Sequence, residues 1–135
     1  MKDVRPAIRT LLLGDPTVSS MVGGVRVHYG RLPQGQTAAS VVFNKVTEGL
    51  TYNQRSDDDL FESRMQFDAW SQSTDEASLL INAVHDRISG QKGVMLPGSV
   101  VIQGAFMANG RDDYDDVAKM YRASRDYIIW FKGNA

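Results

Sequence analysis

The chain has no cysteine, which excludes disulfides and thiolate metal sites and leaves the redox compartment open. Histidine is nearly absent too. His28 falls on an expected strand and His85 on the polar side of an expected helix beside Asp86, and neither has a second ligand at metal spacing. Neither sign of charge is in excess: 15 Lys plus Arg stand against 16 Asp plus Glu, so nothing marks a surface for capturing phosphate backbones. Long apolar runs are missing. Ala7-Ile8 and Leu11-Leu12-Leu13 are far too short to span a bilayer and Met1-Lys2-Asp3 does not open a signal peptide, so a soluble protein made in a cytoplasm is expected, without membrane contact. Gly23-Gly24, Gly90, Gly93 and Gly98 match no phosphate-binding fingerprint, and no serine sits in a Gly-x-Ser-x-Gly elbow. The expectation is therefore a protein that is not an enzyme and has no cofactor, metal or catalytic residue.

Two acidic clusters, Asp57 to Asp59 and Asp112 to Asp116, are the best candidates for a cation site. A helix-loop-helix calcium loop needs Gly at its sixth position and Glu at its twelfth. Counting from Asp112 these are Val117 and Ala123, so the match fails and solvated loops are expected.

What the chain does contain is a clear β-to-α unit. In Arg64 to Trp70, the side chains of Met65, Phe67 and Ala69 share one strand face and those of Arg64, Gln66, Asp68 and Trp70 the other. Ser73 and Glu76 have capping-box spacing, so a helix begins near Thr74; Ala77, Leu80, Ile81, Val84 and Ile88 form its apolar stripe, and Gly90 ends it. Strand and helix can each cover the other's apolar face.

Ahead of this unit, Asp3 and Pro6 open a helix striped by Val4, Ile8, Leu11 and Leu12, and Asp15-Pro16 starts a short second one. Strands follow at Val25 to Tyr29 and Ser40 to Thr47. After the central helix come Ser99 to Met107, with Gly104 marking a bulge, and Met120 to Phe131. The order α-α-β-β-β-α-β-β in 135 residues argues one α+β domain, with a mainly antiparallel sheet and two main helices packed on one face. At 48–63 a projecting loop or a long, weakly paired hairpin arm is expected, and at 108–119 a second projecting loop.

The strands carry apolar residues on both faces: Tyr127, Ile129 and Phe131 on one side of the last, Ile128 and Trp130 on the other. Two helices cover one face of a small sheet, so part of the second is expected to meet another copy of the chain. Trp70, Tyr127, Ile128, Trp130 and Arg64 are the interface candidates, because interfaces favour Trp, Tyr and Arg. A base-stacking platform of Trp70, Tyr127 and Trp130 lacks the basic surround that nucleic-acid binding needs.

Taken in order, Asp15-Pro16, Met21-Val22-Gly23-Gly24, Val27-His28-Tyr29-Gly30-Arg31-Leu32-Pro33-Gln34-Gly35, Arg64 to Trp70, the helix with Ala77 and Val84, Asp113-Tyr114, Met120 to Ser124 and Asp126 to Phe131 resemble one family. It is the tail-completion, or tail-terminator, proteins of long-tailed bacteriophages and gene transfer agents. The chain departs from that pattern in an extended Thr51 to Glu62 segment and a lengthened Asn109 to Lys119 loop. The resemblance implies a structural virion protein, made in the host cytoplasm and placed at the tail-neck junction. Six copies would form a ring that caps the tail tube protein, stops its polymerisation and joins the tail to a head-completion or connector protein. Duplex DNA would pass through the lumen without specific binding, and Arg55, Asp57, Asp58 and Asp59 are the loop candidates for lining it. A head-completion or adaptor ring of the neck, and a small metal- or ligand-binding domain, are the alternatives.

Size agrees with six copies. A 135-residue domain approximates a sphere roughly 37 Å across, so six in a ring leave a hole about one sphere wide, enough for duplex DNA, whereas four leave only about 15 Å.

Overall fold

The computed structural model describes residues 4–51, 59–91, 94–96 and 100–133, with side chains described for 4–46, 61–91 and 100–132. Helices α1 (Arg5–Leu13) and α2 (Pro16–Met21) lead to strands β1 (Val27–Tyr29), β2 (Ser40–Thr51) and β3 (Asp59–Ser71). Helix α3 (Thr74–Ile88) follows, then β4 (Val94–Leu96), β5 (Val100–Asp115) and β6 (Met120–Gly133). The six strands form one sheet in the order β1-β2-β3-β6-β5-β4, antiparallel throughout except for the parallel pair β1 and β2. The α+β class with a mainly antiparallel sheet is thus as the sequence implies, with one strand more than the five expected. The extra strand, β4, is three residues long, too short for alternation to reveal it.

Side-chain period explains how the sheet packs. Phe61, Met65, Phe67 and Ala69 of β3 and Tyr127, Ile129 and Phe131 of β6 are buried on one face, in the same core as Ala77, Leu80, Ile81, Val84 and Ile88 of α3 and Ile8, Leu11 and Leu12 of α1. A row of rings crosses four strands, from the exposed Tyr29 at the β1 border into this core. Tyr29 meets Phe43 edge-on at 5.2 Å, Phe43 stacks on Phe67 at 5.9 Å, and Phe67 meets Tyr127 edge-on at 5.6 Å.

The start of α3 follows its capping sequence with one added group. Ser73 Oγ accepts from the Glu76 amide at 3.3 Å, but the Glu76 carboxylate accepts from Ser71 Oγ, whose oxygen accepts from the Ser73 amide. The box therefore closes through Ser71, a hydroxyl fully buried at the end of β3. Ser73→Ala removes the cap and is expected to lower stability by about 1 kcal/mol in urea unfolding, while Ser73→Asp restores most of it. Asp15 caps α2 as expected, accepting from the Val18 amide. At α1 the N-cap position is Val4, without a side-chain cap; Asp3, the expected cap, lies outside the described residues.

Of the two expectations, 48–63 follows the hairpin-arm alternative where it is described, and 108–119 turns out largely as strand. Residues 48–51 end β2 and 59–63 begin β3, with 52–58 outside the described residues. The stretch 108–119 is not a projection: β5 runs on to Asp115 beside β6, and 116–119 alone form the turn, with Asp115 Oδ1 accepting from the Val117 and Ala118 amides. Cross-strand charge explains the difference. Asp113 pairs with Arg122 and Asp112 with Arg125, so a run that reads as solvated loop becomes a polar strand.

Both sheet borders are restrained. The outer side of β1 is held by Arg9 of α1, whose Nε and Nη2 donate to the Val27 and Val25 carbonyls at 3.0 Å each. On the other border β4 covers only 100–102 of β5, and the Gly90 amide donates to Ala105 O.

Candidate assembly surface

The face of the sheet away from the helices divides into three zones. At the end nearest the β5–β6 turn, Trp70, Val42 and Met120 form a second small core under Leu32 and Ala118. The Arg122 guanidinium lies 5.4 Å from the Trp70 ring centre and forks onto Asp113 at 2.9 and 2.6 Å. That bond holds the Asp113 carboxyl below the usual carboxylate range, and in return Arg122 is held above its ordinary value.

The middle zone is polar. Asp68 is buried and its Oδ1 accepts from Ser124 Oγ at 2.6 Å and Gln66 Nε2 at 2.9 Å. Arg64 donates to Asp126 at 3.1 Å.

The third zone is apolar. Ile128 stands opposite Phe106 and Trp130 opposite Gly104 across the β5–β6 ladder. The bulge between Ile102 and Gly104, where the sequence places one, turns Phe106 onto this face, and a Cβ on Gly104 would stand 3.1 Å from the Phe106 ring. Phe106 is 61% exposed, and Ile128 and Trp130 are half-buried beside it. A contiguous strip of this kind marks a contact surface more often than a solvated one.

The structure separates the expected interface residues. Ile128, Trp130 and Arg64 lie together on the outer face. Trp70 does not offer a free surface: it is 8% exposed under its own chain's Leu32. Tyr127 is fully buried on the helix side, where its hydroxyl meets His85 Nδ1 at 2.6 Å. Trp70, near the end of β3, packs inward under the loop carrying Leu32, whereas Tyr127, in the middle of β6, shares the core face of Ile129 and Phe131 by strand alternation. His85 is likewise half-buried against Tyr127 rather than on a polar face. Burial, with the charges of Arg9 and Arg26, pushes His28 below its ordinary value. Arg55, Asp57 and Asp58 lie outside the described residues, and of Asp59 only the backbone, opening β3, is described. Phe106 was missed because alternation from Val100 breaks at two bulges, although counting the one at Gly104 would have found it.

Nothing in this geometry assembles a reaction centre among the described residues. No three His, Cys, Asp or Glu side chains there are placed to hold a metal, and the cleft of about 240 Å³ between α3 and the β5–β6 end is lined by Ala77, Tyr114, Tyr121 and Ala123 with the ion-paired Asp113 and Arg122. No described helix is long and apolar enough to cross a membrane.

The fold is one found in virion assemblies. It matches a chain of a solved structure titled "Virion of native gene transfer agent (GTA) particle" with a TM-score of 0.68 at 18% identity, over 95% of this chain and 93% of that one. No curated protein matches the sequence. Residues 6–132 match the family described as Tail completion protein gp17, and the chain belongs to that family. It is a structural protein of phage-type tails and a component of the virion.

Proposed function

We propose that the chain is a tail terminator subunit: six copies form a ring that caps the tail tube, ends its polymerisation and joins the finished tail to the head connector. The observation that carries this is the strip of Phe106, Ile128 and Trp130, on the face of the sheet opposite α1 and α3. A family built for tail completion, with apolar area held on one face, fits a subunit whose role is to meet others. Arg64 and Asp126 flank the strip as its polar rim. The ring sits at the tail-neck junction and leaves a lumen for duplex DNA, and the segment with Arg55, Asp57, Asp58 and Asp59 lines that lumen, where its carboxylates repel phosphates.

The test uses the double variant Phe106→Asp/Trp130→Asp on assembled tail tubes. Both side chains lie outside the main core, so the variant retains wild-type circular dichroism. It is expected to leave tubes uncapped, giving overlong tails unattached to filled heads. A variant that caps tubes as the wild type does would remove the proposal. Loss of a head-side ring instead leaves normal tails and leaking heads, which separates the neighbouring neck role.

A further inference from the structure

The restraint on the outer border of β5 stops early. Beyond Ala105, which accepts from the Gly90 amide, no backbone bond among the described residues reaches Phe106 to Tyr114 from the side away from β6. Edges of this kind are commonly blunted by bulges, and β5 has two, at Ile102/Gly104 and Met107/Asn109. Past the second the ladder is regular. From Asn109 to Asp115 each residue keeps register with β6, which leaves an unbroken edge about 23 Å long at 3.3 Å per residue.

One hydrogen bond shows which groups face outward. The Gly110 amide, with no strand to donate to, bonds Oδ1 of its own neighbour Asn109 at 2.8 Å. Ladder bonds in an antiparallel pair come from alternate residues, so Gly110, Asp112 and Tyr114 turn their amides and carbonyls away from β6. Side chains leave this edge clear. The Asp112 and Asp113 carboxylates are drawn back onto Arg125 and Arg122 of β6, at 2.9 and 2.6 Å, and β5 contains neither proline nor lysine.

A cleft lies beside the edge. The exposed rings of Tyr114 and Tyr121 meet edge-on at 4.9 Å, and with Ala77 of α3 and Ala123 they line the hollow of about 240 Å³ on the helix side. That volume is below the range of small-molecule pockets and suits one apolar side chain. Charge does not select what enters. Arg122 and Arg125 balance Asp113 and Asp112, and Arg111 and Lys119 stand against Asp115 and Asp116.

We propose that Asn109 to Asp115 is a strand-docking edge: an extended segment of the tail tube protein adds to the sheet beside β5 and seats one apolar side chain in the cleft between Tyr114 and Ala77. Such an edge needs a partner that supplies backbone donors and acceptors in alternation, and an extended main chain does so. A second copy has no suitable edge to give. Its β1 border is occupied by Arg9 on Val25 and Val27, and two β5 edges paired across a two-fold axis would consume both sites in a closed dimer. The tube is the partner because the family is one of tail completion, and stopping a polymer means occupying the place of its next subunit. That choice of partner rests on the terminator role proposed above, whereas the edge and the cleft do not.

Overlapping short peptides spanning the tail tube protein, with a second set spanning the head connector protein, serve as probes for the purified chain, read by fluorescence anisotropy. At least one tube peptide is expected to bind, with little change as salt is raised. Asp112→Pro removes one outward donor without breaking a ladder bond, and should weaken that binding about ten-fold. Asp112→Ala loses the ion pair to Arg125 but keeps the donor, so it should bind within about two-fold of the wild type. Tyr114→Ser opens the cleft wall and should also weaken binding about ten-fold. Each variant is first matched to the wild type by circular dichroism; should Asp112→Pro fail that match, Tyr114→Ser carries the test. The docking edge is wrong if no peptide binds, if only connector peptides do, or if the folded variants bind as the wild type does. It is also wrong if the wild type is a dimer that Asp112→Pro splits. Capping of tubes by the wild type, scored separately by electron microscopy, decides the terminator role: capped tubes with no peptide bound remove this inference alone, and bound tube peptides without capping remove that role alone.

Discussion

Phe67→Ala is expected to lower the unfolding free energy by about 4 kcal/mol, the range found when a buried phenylalanine is cut to a methyl group. Phe67 is fully buried on the central strand, with Phe43 stacked on one side and Tyr127 edge-on at the other. The cavity cannot collapse easily, because β2 and β6 are laddered to β3 on either side of the residue and α3 packs on the same sheet. Small domains hold only about 5–15 kcal/mol in total, so the variant should be partly unfolded at modest urea. Phe106→Ala is the control. Its ring is mostly exposed, and the same substitution there should change the free subunit by about 0.5 kcal/mol or less. A loss at position 67 no larger than at 106 would mean that the ring row contributes little.

Alkaline pH should weaken the fold through one phenol. Burial pushes the Tyr127 hydroxyl up to about 12 from an ordinary 10.0. The folded state therefore keeps its proton where the unfolded chain has lost it. Stability from this group is fully present below pH 10.0 and disappears as pH rises toward 12. Between about pH 9 and pH 11.5 the loss should be about 2 kcal/mol by linkage. Tyr127→Phe removes the titrating group and should flatten the decline over that interval, at the cost of the 2.6 Å bond to His85, about 1 kcal/mol at neutral pH. Parallel declines in both proteins would place the alkaline sensitivity elsewhere.

Sequence periodicity was most informative where one element has one buried face. The α3 stripe, its Ser73 cap and the split of β3 into Met65, Phe67 and Ala69 against Arg64, Gln66, Asp68 and Trp70 all appear in the structure, because each depends on spacing within a few residues. Features that depend on partners from elsewhere in the chain were hidden. The strand nature of 108–115 rests on Arg122 and Arg125, which local reading cannot assign to Asp113 and Asp112. Trp70 reads as an interface residue until the loop carrying Leu32 is seen to lie over it. The candidate surface was half legible for the same reason. Ile128 and Trp130 follow from alternation on β6, whereas Phe106 reaches them only after a bulge has shifted its strand by one residue.

The clamp of Arg9 on Val25 and Val27 decides how the sheet ends. A short strand left bare would be a template on which any extended segment, native or misfolded, could grow; here a helix side chain occupies those acceptors instead. Detachment of α1 during folding or heating would uncover a sticky margin, so the first helix acts as a guard against runaway stacking. A virion component, made in a crowded cell beside many other chains, has reason to keep such a guard in place.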